Sequence, residues 1–101
     1  MRAYLIVIHP GHLLDGFNQA EFHKKLTTVQ GLLSWWHYMP NAYIILVGDE
    51  VNATGVADYL NTIIGRKHFL VTRFDAWDHN GRLPKEAWDW IDQNRQRHNL
   101  R

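Results

Sequence analysis

The chain contains no cysteine and a single serine, Ser34, among its 101 residues. Without cysteine, the protein has no disulfide framework, no thiolate nucleophile and no cysteine-based zinc site. No acid is paired with both Ser34 and a histidine, so the sequence argues against a serine hydrolase. These absences disfavour nucleophilic catalysis by sulfur or by a serine triad.

Long apolar runs are also missing from the sequence. No stretch approaches the ~20 apolar residues that a membrane-spanning helix requires. Residues 5–8 are too few for the apolar region of a signal peptide, and the only cation before them is Arg2. We therefore predict a cytoplasmic protein that does not interact with membranes.

The formal charge is nearly balanced at +1, with seven histidines in addition. Charge alone therefore does not predict a polyanion-binding protein. The distribution is less even, because residues 95–101 hold three arginines and no acid. Five tryptophans make the apolar content strongly aromatic.

Apolar runs and alternating patterns predict four strands. Residues 2–9 form an almost unbroken apolar run that ends at Pro10-Gly11, which indicates an interior strand. Aromatic and β-branched residues on both sides of Met39-Pro40-Asn41 predict a hairpin of residues 34–38 and 42–48. A fourth strand is predicted over residues 68–74, with Leu70, Thr72 and Phe74 on one face and Phe69, Val71 and Arg73 on the other.

Helical periodicity predicts three helices between and after these strands. The first has Asn18 and Glu21 as a capping pair and is expected to end at Gly31. The second is capped by Asn52 or Thr54, and Gly65 is expected to follow it. The third begins near Pro84 and runs into a basic tail that is expected to fray. The apolar stripes are Phe22, Leu26, Val29 and Leu33; Val56, Leu60, Ile63 and Ile64; and Leu83, Ala87, Trp90 and Ile91.

The predicted order is strand, helix, strand, strand, helix, strand and a final helix. Two right-handed split βαβ units of this kind give an α+β ferredoxin-like plait. Its four-stranded antiparallel sheet would carry both main helices on one face, with the first and third strands in the centre. We predict one domain over residues 1–101, with residues 82–101 as an appended helix and basic tail.

With these elements placed, the chain resembles the SinR-like family of small bacterial and phage proteins. Those proteins are related in fold to the small dimeric CRISPR-associated subunit of spacer acquisition. The resemblance rests on Tyr4-Leu5-Ile6, Trp35-Trp36-His37-Tyr38 and Tyr43-Ile44-Ile45, and more loosely on Ala76-Trp77 with Trp88 or Trp90. It implies a homodimer with a nucleic-acid or nucleotide connection.

One departure from that pattern bears on nuclease activity. In relatives that resemble metal-dependent nucleases, the first strand ends in an aspartate that holds a divalent cation. Here that place reads Ile8-His9-Pro10, and no carboxylate follows before Asp15. Because magnesium prefers oxygen ligands, neutral imidazole is a poor replacement. The resemblance therefore carries no nuclease chemistry to this chain, and no metal or cofactor is predicted.

The candidate ligand-binding residues fall into three groups. Aromatic residues at the hairpin could stack on a base, although each tryptophan taken singly is more typical of core or interface. Cations near the last strand could bind an anion, and Arg73 would need a carboxylate partner or an anionic ligand if its face of the sheet is open. Two histidines flank the first turn and could bind a ligand, but a turn with a polar residue at each end is the simpler interpretation. The groups are Trp35, Trp36, His37 and Tyr38; Arg66, Lys67 and Arg73; and His9 and His12.

Three functional hypotheses follow from these residues. The first is a non-enzymatic homodimer that binds nucleic acid or a nucleotide-like anion at or beside the dimer seam, on the open sheet face or its edge. The second is a metal-dependent endonuclease that would use carboxylates such as Asp15 or Asp49. The third is a protein-binding inhibitor or antitoxin-like subunit that would dock through Trp88, Trp90 and the basic tail. We favour the first, with no catalytic residues assigned.

Overall fold

A computed structural model describes residues 1–9, 19–28, 31–37, 39, 41–64, 68–98 and 100. Four strands and three helices follow one another in the predicted order. They are β1 (Arg2–Ile8), α1 (Gln19–Leu26), β2 (Leu32–His37), β3 (Ala42–Val47), α2 (Ala53–Ile63), β4 (Phe69–Arg73) and α3 (Lys85–Arg97). None of the helices in these described ranges is long and apolar enough to cross a membrane.

The four strands form one antiparallel sheet in the order β2-β3-β1-β4. As predicted, β1 and β3 occupy the centre of the sheet, because both strands carry buried apolar side chains on both faces. In the register of these strands, Tyr4 of β1 lies opposite Ile45 of β3 on one side and Arg73 of β4 on the other. The structure thus confirms an α+β fold of the ferredoxin-like type.

Helices α1 and α2 contribute to one core on the first face of the sheet. Phe22 and Leu26 from α1 and Val56 and Leu60 from α2 are buried there. Each large apolar side chain removed from water stabilises the fold by about 1.5–3 kcal/mol. Their partners from the sheet are Tyr4, Ile6, Ile8, Tyr43, Ile45 and Val47.

The second face of the sheet is partly covered by α3, which corrects the expectation of an open face. Ala87 and Ile91 of α3 are both buried, and Ile91 belongs to the same cluster as Ile44 and Leu46 of β3. The sequence explains this packing, because the central strands are apolar on their second face as well and require a cover. The final helix therefore buries Ala87 and Ile91 of its predicted apolar stripe on this face.

Leu100 is held in place by the preceding loop, so the prediction of a frayed tail is wrong at this residue. Leu100 is buried, and its backbone N–H donates to the carbonyl of Arg95 at 3.0 Å. The indole N–H of Trp77 donates to the carbonyl of Leu100. Arg95 in turn lies 4.3 Å above the Trp77 ring and donates to the carbonyl of Ala76 at 3.2 Å. An aromatic residue of the preceding loop thus anchors the tail.

Helix α1 is shorter than its apolar stripe predicted. It ends at Leu26, where the hydroxyls of Thr27 and Thr28 donate to carbonyls of the last turn at 2.7 and 2.6 Å. Leu33, expected on the helix stripe, instead lies exposed in β2 at an irregularity in the pairing with β3. Gly31 adopts φ 86° and leads into that strand. Val29 lies outside the described residues, as does Asn18, the expected cap.

Helix α2 begins as the sequence predicted. The side chain of Asn52 accepts a hydrogen bond from the Gly55 N–H at 2.8 Å, so Asn52 rather than Thr54 is the cap. Ile64 closes the helix in a right-handed conformation. Gly65, Arg66 and Lys67, which were expected to follow it, lie outside the described residues.

Candidate functional site

Four rings meet where α1 crosses the edge of the sheet formed by β2. His23 comes from α1, Trp35 and His37 from β2, and Tyr43 from β3; we call them the ring cluster. The His23 ring centroid lies 4.7 Å from that of Trp35 and 4.7 Å from that of His37. His37 stacks on Tyr43 at 4.8 Å. Strand alternation and hairpin pairing explain the arrangement, since Trp35 and His37 share a face and His37 lies opposite Tyr43.

Hydrogen bonds orient both imidazoles of the ring cluster. His23 Nε2 lies 2.7 Å from the Tyr43 hydroxyl. His37 Nδ1 lies 3.3 Å from the carbonyl oxygen of Met39. A carbonyl only accepts, so His37 carries its proton on Nδ1, and in the neutral ring Nε2 keeps a lone pair. The cluster thus presents imidazoles of defined orientation.

Burial shifts the pKa values of Tyr43 and His23. The pKa of Tyr43 is raised to about 12 because its hydroxyl is buried, so Tyr43 stays protonated at neutral pH. The pKa of His23 is lowered, first by burial and second by the nearby His37. At neutral pH the cluster therefore carries no charge on Tyr43 or His23.

This lowered pKa predicts that folding stability falls in acid. Below pH 6.5, the ordinary pKa of histidine, the unfolded chain takes up a proton that the folded His23 ring resists. Because the unfolded state then binds more protons, the free energy of unfolding decreases as pH falls, until the folded ring is protonated too. Urea unfolding at pH 5 to 8 with EDTA present should show a smaller acid loss for His23→Gln than for wild type.

The matched control is His68→Gln, which changes an exposed histidine outside the cluster. Its stability should follow the wild-type pH curve. If His23→Gln loses as much stability in acid as wild type does, burial of His23 does not govern the acid response.

The two neighbouring tryptophans of β2 serve opposite faces of the sheet. Trp35 joins the ring cluster, whereas Trp36 stacks on Trp90 of α3 with 6.3 Å between ring centroids. Both are half-buried within the chain, whereas one of them was expected to be core and the other to face a partner. Tyr38, predicted beside them, lies outside the described residues.

The predicted cations do not join the aromatic residues. Arg73 is on β4 and Trp35 on β2, at opposite edges of the sheet, about 14 Å apart for strands spaced at about 4.8 Å. Arg73 lies exposed at the end of β4, on the α1 and α2 side by register. The pKa of the exposed Asp49 is lowered mainly by the hydrogen bond and charge of the amino terminus, and less by the charges of Arg2 and Arg73. Arg73 therefore does not lie on an open face of the sheet, which was the condition for expecting an anionic ligand there.

The predicted histidine pair is only half described. His9 is exposed at the end of β1, and its backbone N–H donates to the carbonyl of His68 at 2.8 Å. His9 thus lies beside β4, while His37 lies on β2, two strands away. His12, like Arg66 and Lys67, lies outside the described residues.

Carboxylates do not gather into a magnesium site in the described part of the chain. Within it, no three His, Cys, Asp or Glu side chains lie close enough together to hold a metal ion. Asp49 accepts a hydrogen bond from the amino terminus, and Asp15 lies outside the described residues. A cleft of about 310 Å³ at the start of α2 has Glu50 as its one charged lining residue among those described, which disfavours an anion there.

The tryptophans proposed for protein docking take part in the second core. Trp88 and Trp90 both pack against the buried cluster beneath α3. Trp88 also stacks on His79, whose ring lies 4.9 Å from Phe74. Both tryptophans therefore have packing partners within the chain itself.

Sequence reasoning missed two members of the ring cluster, His23 and Tyr43. Tyr43 could have been found by counting, because a turn centred on Pro40 places it opposite His37. His23 adjoins Phe22 of the apolar stripe, and a right-handed crossover lays α1 over β3 and β2. No single motif marks His23, since its neighbours Lys24 and Lys25 give the appearance of a solvated face.

Comparisons with protein families, curated proteins and solved structures add no relative to this description. No family model matches the chain, and no curated protein or solved structure matches it either. The resemblance to the SinR-like family therefore stays a prediction.

Proposed function

We propose that this protein binds nucleic acid or a nucleotide-like anion, without catalysis, as a homodimer. The observation that carries the proposal is the ring cluster at the β2 edge, next to the lysines of α1. Trp35 and His37 are both half-buried, so neither residue is fully enclosed by the chain. Stacking of one base on an aromatic side chain is worth about 1–3 kcal/mol.

Charge next to the ring cluster favours an anion over a neutral ligand. Lys24 follows His23 directly on α1 and is exposed. Lys25 is half-buried and pairs with Glu21 at 3.0 Å, which leaves Lys24 as the more available of the two cations. A phosphate bound by Lys24 would add an electrostatic contribution to binding, and the affinity would fall as salt rises.

The end of the sheet that α3 leaves uncovered supports a homodimer. Val7 of β1 and Leu70 of β4 lie opposite each other on this face, and both are exposed, Leu70 to 63%. Met39 of the hairpin turn is exposed as well. Apolar side chains grouped on one sheet face are typical of protein contacts, and a second copy of this chain would cover them.

Titration with nucleotides tests the binding half of the proposal. Mono-, di- and cyclic nucleotides and short oligonucleotides are added in EDTA, while tryptophan fluorescence and the melting temperature are measured. Trp35→Leu should weaken binding about tenfold or more, as expected for one lost stacking contact. Lys24→Glu should weaken binding as well, because it replaces a phosphate-binding cation by an anion. Lys85→Glu, a matched charge reversal on α3, should leave affinity unchanged.

The absence of any fluorescence or thermal response to every ligand would refute the binding proposal. Cleavage of the oligonucleotides on addition of magnesium or manganese would replace it with the endonuclease hypothesis. Retention of a protein partner after nuclease treatment would favour the inhibitor-subunit hypothesis.

Sedimentation tests the homodimer half separately. Leu70→Glu places a charge on the uncovered sheet face and should convert a dimer to a monomer. Leu33→Glu, at a leucine of β2 that is also exposed, is the matched comparison. A wild-type monomer at all concentrations would refute the dimer, and dissociation by Leu33→Glu alone would move the seam to the β2 edge.

A further inference from the structure

We infer that His23 and His37 form a two-histidine site for a divalent transition metal such as Zn²⁺, Ni²⁺ or Cu²⁺. Neutral imidazole is a favoured ligand of these borderline ions, whereas magnesium and calcium prefer oxygen. The inference stands apart from nucleotide binding, because it requires only the two imidazoles and no base or phosphate.

Each of the two rings has one nitrogen engaged by a neighbour and the other left for a metal. His37 donates from Nδ1 to the carbonyl of Met39, so Nε2 holds the lone pair. His23 Nε2 lies 2.7 Å from the buried hydroxyl of Tyr43, and in the tautomer that donates from Nε2 to the hydroxyl oxygen the lone pair is on Nδ1. Metal-binding histidines are typically oriented in this way, with the second ring nitrogen bonded to a backbone carbonyl or another polar group.

The spacing of the rings fits one shared ion. Histidine–metal bonds of about 2.0–2.1 Å place the ion roughly 3.2 Å from each ring centroid. Two rings that bind at a near-tetrahedral angle then have centroids about 5 Å apart. The observed separation between the His23 and His37 centroids is 4.7 Å.

The two imidazoles supply only part of a coordination sphere. No third His, Cys, Asp or Glu joins them within the described residues, so water or an added ligand would occupy the remaining positions. Such a site keeps open positions, as catalytic metal sites do, and differs from the closed four-ligand sites that stabilise folds. Lys24 beside His23 adds positive charge, which would keep the affinity for the cation moderate.

Metal titration tests the inference directly. Zn²⁺ binding is measured by calorimetry, and Cu²⁺ binding by quenching of tryptophan fluorescence. We expect one ion per chain, with His23→Gln and His37→Gln each weakening binding at least about tenfold. Part of the Cu²⁺ quenching should disappear in Trp35→Phe, since the Trp35 ring lies 4.7 and 5.9 Å from the two imidazoles. His68→Gln should bind as wild type does.

A second measurement needs no variant and so does not depend on the substituted chains folding. Wild-type protein is carbethoxylated with diethylpyrocarbonate with and without Zn²⁺, and modified histidines are mapped by mass spectrometry. Protection of His23 and His37 by Zn²⁺ would support the site. Unchanged affinity in both glutamine variants, or protection of His9, His12 or His68 instead, would overturn it. EDTA keeps the nucleotide titration free of metal, so either proposal can fail without the other.

Discussion

Replacement of Ile91 by alanine is expected to lower the free energy of unfolding by about 2–5 kcal/mol. Ile91 is 3% exposed and lies between α3 and the second face of the sheet. Truncation removes its packing within the cluster that includes Ile44 and Leu46 of β3 and leaves a cavity. Urea denaturation of variant and wild type gives the difference.

Gln93→Ala is the matched control, because Gln93 lies exposed on the same helix. Its effect should stay within about 0.5 kcal/mol, the usual range for surface substitutions. If Ile91→Ala has an equally small effect, α3 does not contribute to the core. Hydrogen exchange adds an independent test, since α3 amides of wild type should be protected nearly as strongly as those of β3.

Replacement of Tyr43 by alanine is expected to cost still more, about 3–5 kcal/mol, as for large aromatic residues in protein cores. Tyr43 is fully buried, and its ring contacts Phe22 edge-on at 5.0 Å beneath α1. Alanine removes this packing and also the hydroxyl that orients His23. Chemical denaturation measures the loss of stability, and the near-ultraviolet circular dichroism of the tryptophans reports on the ring cluster.

Tyr43→Phe separates the two effects, because it keeps the ring and removes only the hydroxyl. We expect it to cost about 1 kcal/mol, the typical contribution of one hydrogen bond. A loss as large as that of the alanine variant would mean that the hydroxyl, not the packed ring, dominates at this position. A negligible loss from Tyr43→Ala would contradict its place in the core.

Much of the fold could be predicted because it depends on local patterns. The pairing of β2 with β3, the interior position of β1 and a cap at Asn52 or Thr54 each follow from neighbouring residues. The structure confirms the first two and selects Asn52 as the cap. The end of α1 could not be predicted from its stripe. Thr27 and Thr28 compete for the carbonyls of the last turn, and Gly31 then turns the chain into β2.

The candidate site was harder to predict, since its parts come from distant segments. Trp35 and His37 were identified from the sequence, but His23 and Tyr43 were not. Arg73 was identified as a candidate ligand-binding residue as well, yet the sheet places it at the edge opposite Trp35 and His37. Side-chain alternation alone predicts on which face of the sheet a cation such as Arg73 lies. Its distance from a residue on another strand depends on the order of the strands in the sheet.

The sequence by itself determined which faces of the strands are apolar, and hence that Trp35 and Trp36 lie on opposite sides of the sheet. Side-chain alternation is a property of the extended backbone and needs no tertiary contact. Only the tertiary structure decided what each tryptophan meets: His23 of α1 for Trp35, and Trp90 of α3 for Trp36. Those contacts join segments far apart in the chain, so they depend on how each helix lies across the sheet, which no local pattern specifies.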